Sequence, residues 1–237
     1  MAGTHTSRGE AARRRFAAQR FGVLGVALSV TIAAIMVLTP LAKTSLGAQL
    51  LISVPLFASL YALSIRRRNT LLLAGAIFVL SGLAAVFMAR LDTDLLVADT
   101  ALRASVLAAI VWWVAVEVVS QVRISLDTIL GGICIYLLLG FFYAHVYTML
   151  ELVDQGALIS NGHPLATPEE THPLASLPAV IYYSYATLTT VAYGDITPAT
   201  HFARFVAITE AMMGQLFPAI FIARLVSLNV AQTGLRE

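Results

Sequence analysis

Three times before residue 90 the chain runs for more than twenty positions without a charged side chain, at 21–42, 44–65 and 69–89. A stretch of about 20 apolar residues fits a hydrocarbon core of roughly 30 Å. Inside that core each peptide group must bond within its own segment, so each run is predicted to be a membrane-crossing helix. The composition agrees, with 59% hydrophobic and 12% charged residues, against about 25% charged in a soluble domain. Arg8, Arg13, Arg14, Arg15 and Arg20 precede the first run. That run is too long for the apolar part of a cleaved leader and has no clear cleavage site, so it reads as a retained helix.

A fourth run, 94–120, is interrupted by Asp99, Arg103 and Glu117 and rests on the uncharged 104–116. A fifth covers 128–150 and a sixth 202–228. Between these two lie a polar, proline-containing segment, 151–176, and an apolar stretch, 177–188, too short to cross alone and therefore re-entrant by length. The expected fold class is an all-α membrane protein of six transmembrane helices, with a re-entrant helix and loop between helices five and six. Its parts are a basic tail at 1–20, a four-helix membrane domain at 21–125, a second membrane domain at 126–230 and a short tail at 231–237.

Arginine placement orients the helices. The N-terminal cluster, Arg66, Arg67, Arg68 and Arg123 fall on one side, while the opposite short loops hold Lys43 and Arg90. The positive-inside rule then places both termini in the cytoplasm, in what reads as a multi-pass protein of a bacterial cell membrane surrounded by lipid. Segment 151–176, with Glu151, Asp154, Glu169 and Glu170, falls outside. It is either an acidic vestibule that concentrates cations or a merely solvated loop.

Other chemistries find little footing. Cys134 is the one cysteine, so no intrachain disulfide forms, and a net charge of +2 argues for no nucleic-acid partner. No HExxH occurs and no paired aspartates lie on facing helices, which leaves an intramembrane hydrolase unsupported. His163, His172 and His201 lack a metal-binding spacing, and His145 reads as a helix-end residue. Neither enzymatic activity nor a cofactor is expected. The absence of an internal repeat gives no support to a transporter built from inverted halves.

Tyr182-Tyr183-Ser184-Tyr185-Ala186-Thr187-Leu188-Thr189 followed by Thr190-Val191-Ala192-Tyr193-Gly194-Asp195 resembles the pore helix and selectivity filter of the potassium-channel family, as a TVAYGD variant of its TVGYGD filter. The likeness continues through Ile196-Thr197-Pro198 to Gly214, and covers about a hundred residues from the fifth helix to the end of the sixth. It implies a homotetramer, because four chains are needed to close each ring of backbone oxygens around a dehydrated ion. K+ would be the permeant ion, coordinated by the carbonyls of Thr190, Val191, Ala192 and Tyr193 and by the Thr190 hydroxyl, with Gly194 completing the filter. Tyr193 would face away from the axis. Asp195 would hold the filter from behind through Tyr182 or Tyr183, with Thr187 as a further support; Ala186 stands where many relatives carry a second acidic group.

Ala192 departs from the family, which has glycine there. Aiming successive carbonyls one way needs alternating backbone handedness, and a left-handed alanine costs about 1–2 kcal/mol, so four subunits would carry about 4–8 kcal/mol unless the loop relaxes. Weaker K+ selectivity or conductance is the expectation. In the sixth helix Pro218 removes a ladder bond and Gly214 lowers local stability. The family places a gating hinge at Gly214, with Gln215 and Ile222 facing the cavity; close helix packing is the plainer reading of Gly214. Glu210 is expected to bond pore-helix hydroxyls such as Thr187 or Thr189, since a buried carboxyl needs partners. Arg204 and Arg224 read as interfacial anchors.

The fourth helix has only Arg103 in its body, four residues after Asp99, and the two should neutralise each other. That leaves no arginine repeat for a voltage sensor. Glu117 is expected near Arg123, and Trp112 and Tyr136 read as packing or interfacial aromatics. The alternatives are a weakly selective cation channel, through Ala192, and a proton-coupled transporter using Asp99, Glu117, Glu210 and His145.

Overall fold

The computed structural model describes residues 20–38, 93–121, 124–165 and 176–233. The expected helices at 44–65 and 69–89 lie outside the described residues, as do Glu169, Glu170, His172 and Arg123.

Five helices and three short strands are found among the described residues: α1 (Arg20–Leu38), α2 (Thr93–Val119), α3 (Leu126–Val153), β1 (Leu158–Ser160), β2 (His163–Pro164), α4 (Leu177–Leu188), β3 (Ile196–Pro198) and α5 (His201–Thr233). Asp94–Val119, Leu126–Val153 and His201–Gln232 are each long and apolar enough to cross a membrane, and Phe21–Val37 is a shorter apolar helix. The protein is thus mostly helical and built for a membrane, with the runs at 94–120, 128–150 and 202–228 recovered to within a few residues.

Helix α3 is the central post. It packs against α2, α1 and α4, and more lightly against α5. Its start is fixed by a capping box in which Ser125 and Thr128 each take the other's backbone N–H. Asp127 in that first turn accepts from the Phe21 amide at 3.3 Å, tying α1 to α3 where both helix N-termini favour a negative charge. Cys134 is buried beside the Phe21 carbonyl, with its sulfur 3.2 Å away. A core of Phe21, Leu24, Leu28, Leu107, Val114, Leu138 and Phe141 joins the three helices.

Two glycines let α3 receive aromatic rings at van der Waals range. A Cβ at Gly140 would lie 2.5 Å from the Tyr185 ring, and one at Gly132 would lie 2.3 Å from Phe221. The rings of α4 and α5 therefore seat directly on the backbone of α3. Tyr185 completes its seat by donating its hydroxyl to the Leu137 carbonyl at 2.6 Å.

Short strands, two within the segment expected as a polar loop, 151–176, and one after residue 195, add to the mostly helical fold. They form one sheet in the order β2-β1-β3, with both pairings antiparallel. Asn161-Gly162 makes the β1–β2 turn, with φ 51° and 86°, the two left-handed positions that a two-residue hairpin requires. Strand β3 lies immediately after Gly194-Asp195, so the hairpin is stitched to that loop: the Asn161 amide donates to the Asp195 carbonyl at 3.1 Å and the Ala199 amide to the Ala157 carbonyl at 2.8 Å. Glu151 is not a vestibule charge. It is 4% exposed, and its Oε1 accepts from the Leu158 amide, fastening the end of α3 to the start of β1. Asp154 is exposed.

Candidate functional site

Helix α4 ends at Leu188, and the loop Thr189–Asp195 returns along its C-terminal end. Its hydrogen bonds define the geometry. The Thr189 amide donates to the Tyr185 carbonyl at 3.0 Å and the Thr190 amide to the Thr187 carbonyl at 2.9 Å. The Val191 and Ala192 amides then both donate to the Ala186 carbonyl, at 3.0 and 3.2 Å. No cis peptide is present among the described residues, and in a planar trans peptide the N–H and C=O groups point opposite ways. Two successive amides converging on Ala186 therefore turn the carbonyls of Thr190 and Val191 away from α4 together. An ordinary extended strand would alternate them.

The backbone takes the required form. Thr190 (φ 59°), Ala192 (φ 45°) and Gly194 (φ 82°) are left-handed, and the residues between them are not. Ala192 has kept the left-handed conformation, so the strain is held in the loop, not relieved by a turn of the chain. Thr190 adds a second strained position, and for a β-branched residue that conformation is a genuine outlier. Strain of about 1–3 kcal/mol per such residue persists only where the surroundings over-determine it.

Those surroundings are visible. The Tyr193 ring stacks on Tyr182 with centroids 6.3 Å apart and planes 7° apart, while Tyr193 itself stays 72% exposed on the single chain. The Tyr182 side chain also lies beside the Asp195 carboxylate. Of the two tyrosines expected behind the loop, Tyr182 takes Asp195. Tyr183 turns inward instead, against Tyr147 at 4.9 Å, and interacts with the Thr187 hydroxyl. Thr187 thus supports the loop through its backbone carbonyl and Tyr183 through its side chain.

Below the loop, the Leu188 carbonyl is pinned from two sides. Tyr136 of α3 donates its hydroxyl to it at 3.0 Å, a polar role that the packing reading of Tyr136 missed. Gly214 of α5 lies so close that a Cβ there would sit 1.8 Å from the Leu188 oxygen. The described structure therefore gives Gly214 a packing role. Pro218 lies within an unbroken α5, and the group it leaves without a ladder partner is the carbonyl four residues earlier, that of Gly214. Gln215 and Ile222 are exposed on α5.

Glu210, one turn before Gly214, is 0% exposed. It meets neither Thr187 nor Thr189. Its Oε2 accepts from the Tyr147 hydroxyl at 2.7 Å and its Oε1 lies 2.5 Å from the Ser184 hydroxyl, which joins α5, α3 and α4 at one carboxyl. Arg224 also departs from expectation: its guanidinium reaches the carbonyls of Val118 (3.4 Å), Val119 and Gln121 (3.1 Å), closing the C-terminal end of α2. Arg204 donates to the Pro198 carbonyl at 3.2 Å. Asp99 and Arg103 form their pair at 2.7 Å. His145 lies well inside α3, buried, with Nδ1 2.8 Å from the Phe141 carbonyl.

Electrostatically, the loop sits at the negative end of the α4 dipole, and no basic residue lies in the last turn of α4 to offset it. Carbonyl oxygens turned one way at such a place present a site for a cation. Among the described residues no cluster of histidine, cysteine and acidic side chains could hold a metal ion, so backbone oxygen is the donor chemistry on offer.

Residues 131–231 match the model of a family described as ion channel. That match spans α3 from its second turn, the hairpin, α4, the loop and nearly all of α5, and it supports an ion channel. Neither the curated proteins nor the solved structures gave a match.

The sequence reading missed the hairpin, Ser184 and Tyr147. The adjacent Asn161-Gly162 was the available signal for the first. Nothing in the sequence alone distinguished Ser184 from the hydroxyls around it.

Proposed function

We propose that the chain is a subunit of a potassium-selective channel, in which four copies bring their Thr190–Gly194 loops around one axis. K+ passes down its gradient through rings formed by the carbonyls of Thr190, Val191, Ala192 and Tyr193. The observation that carries this reading is the convergence of two successive amides on the Ala186 carbonyl, which turns neighbouring carbonyls the same way. An ion that sheds its water needs replacement oxygens already in place, and a loop strained at Thr190 and Ala192 but held by Tyr182, Tyr136 and Asn161 supplies them without rearrangement. In this arrangement α3 is the outer helix, α4 the pore helix and α5 the inner helix. Gly214 and Pro218 are the hinge region of α5, Gln215 and Ile222 face the cavity, and residues 21–125 form a membrane domain whose α1 and α2 pack on α3. Phe202, Phe205, Ile208, Met212, Leu216 and Ile220 of α5 are exposed on the single chain, where neighbouring subunits or lipid would cover them.

The left-handed Ala192 favours K+ selectivity over weak cation selectivity, because it retains the alternation that the oxygen stack needs. A proton-coupled transporter gains no support: Asp99 is paired with Arg103, Glu210 with hydroxyls and His145 with a backbone carbonyl. Cross-linking of purified protein, with flux measured after replacing K+ by Na+, tests the proposal. A tetramer passing K+ at least about tenfold faster than Na+ is the expected outcome; a monomer, or equal rates, contradicts it.

A further inference from the structure

Three close contacts meet at Ser184 and Glu210: Tyr147 hydroxyl to Glu210 Oε2 at 2.7 Å, Glu210 Oε1 to Ser184 Oγ at 2.5 Å, and Ser184 Oγ to the Gly140 carbonyl at 2.8 Å. Each is within hydrogen-bond range, and each needs a proton. Tyrosine and serine bring one apiece. If Glu210 were a carboxylate, the Ser184 proton would have to serve either Glu210 or Gly140, and one short oxygen–oxygen contact would be left without a hydrogen. With one proton on Glu210 the chain closes: Tyr147 donates to Oε2, the Glu210 acid donates to Ser184, and Ser184 donates to Gly140.

The surroundings agree with a neutral acid. The ionisable groups acting on Glu210 from α3 are Tyr136, Tyr143 and Tyr147, and those from α4 are Tyr183 and Tyr185. On α5 itself the nearest basic residue before it is Arg204 and the nearest after it is Arg224, the first bonded to Pro198 and the second to the end of α2. Among the described residues no cation acts on this fully buried carboxyl, and an uncompensated charge there would be strongly unfavourable.

We propose that Glu210, held as the neutral acid, is a positioning residue that locks the pore helix to the inner and outer helices, and that its deprotonation releases the pore helix. The location gives the lock its consequence: Ser184 lies one turn before Leu188, where the filter begins, and Glu210 one turn before Gly214, which packs on Leu188. On ionisation the proton passes to solvent, Ser184 can satisfy only one of its two acceptors, and either α4–α5 or α4–α3 loses its bond. This inference rests on the channel reading for its functional effect but not for its chemistry.

The test uses the full chain in liposomes. Infrared spectra at neutral pH should contain an un-ionised carboxyl C=O band that disappears in Glu210→Gln and shifts to higher frequency in Tyr147→Phe. The protection factor of the amides within 184–189, taken against the base-catalysed intrinsic exchange rate at each pH, should fall at least about tenfold on raising the pH until that band is lost. Protection should fall similarly in Ser184→Ala at neutral pH, whereas Glu210→Gln, whose amide can donate to Ser184 and accept from Tyr147, should keep a protection factor that does not change with pH. Absence of the band in the parent at neutral pH, or an identical alkaline loss of protection in Glu210→Gln, overturns the proposal. Because neither readout needs conduction, a failure of the channel reading appears separately, as absent K+ flux with band and protection intact.

Discussion

At Ala192 the physics of one methyl group and the needs of an ion meet. A left-handed alanine is disfavoured by about 1–2 kcal/mol relative to right-handed backbone, yet φ at this position is 45°. Ala192→Gly should therefore stabilise the assembly, by about 1 kcal/mol per chain at most once the greater freedom of glycine in the unfolded state is subtracted. It should also sharpen K+ over Na+ discrimination in reversal potentials. Unchanged melting and unchanged selectivity would show that the methyl is without consequence. The departure from glycine was legible in the sequence, and so was the need for alternating handedness. The second strained residue, Thr190, was not, because nothing in its type signals positive φ; only the amides converging on Ala186 reveal it.

Among the elements, α5 is held by shape on one side and by a capped carbonyl cluster at its end. Gly214→Ala would place a methyl 1.8 Å from the Leu188 oxygen, closer than real contacts permit, so α4 and α5 must part. A loss of roughly 1–3 kcal/mol is expected in thermal unfolding, accompanied by loss of conduction; a variant with parental melting would mean that the two backbones are not in contact. Arg224→Ala should leave the last carbonyls of α2 without their donors, at a cost of about 1–2 kcal/mol, read as faster amide exchange near residues 116–121 with little change elsewhere. Arg224→Lys should recover only part of it, since an ammonium cannot spread its donors over three carbonyls as a guanidinium does. Helix boundaries such as 94–120 were readable because length and charge spacing set them. The partners of Arg224, Glu210 and Tyr136 were not, because each bonds across 26 or more residues of sequence and only packing brings those groups together.

Among the described residues as a whole, a post of one helix carries the others, and two separate devices bear on the same loop. After the loop, the 158–164 hairpin pairs with Ile196–Pro198 and takes the Asp195 carbonyl; before it, Tyr136, Gly214 and the Glu210 network fix the end of α4. Polarity and proline content marked segment 151–176 as a loop, and its strands are so short that no alternation could announce them. In the channel proposed above, conduction would depend on the assembly of four chains, and Tyr193, stacked on Tyr182 yet exposed on the single chain, stands at the loop where that assembly would be felt. The most direct measurement is flux driven by a K+ gradient in liposomes, comparing the parent with Tyr193→Ala at matched protein incorporation. The parent should carry K+ down its gradient and the variant should lose that flux; equal flux through both would contradict a pore built on Thr190–Gly194.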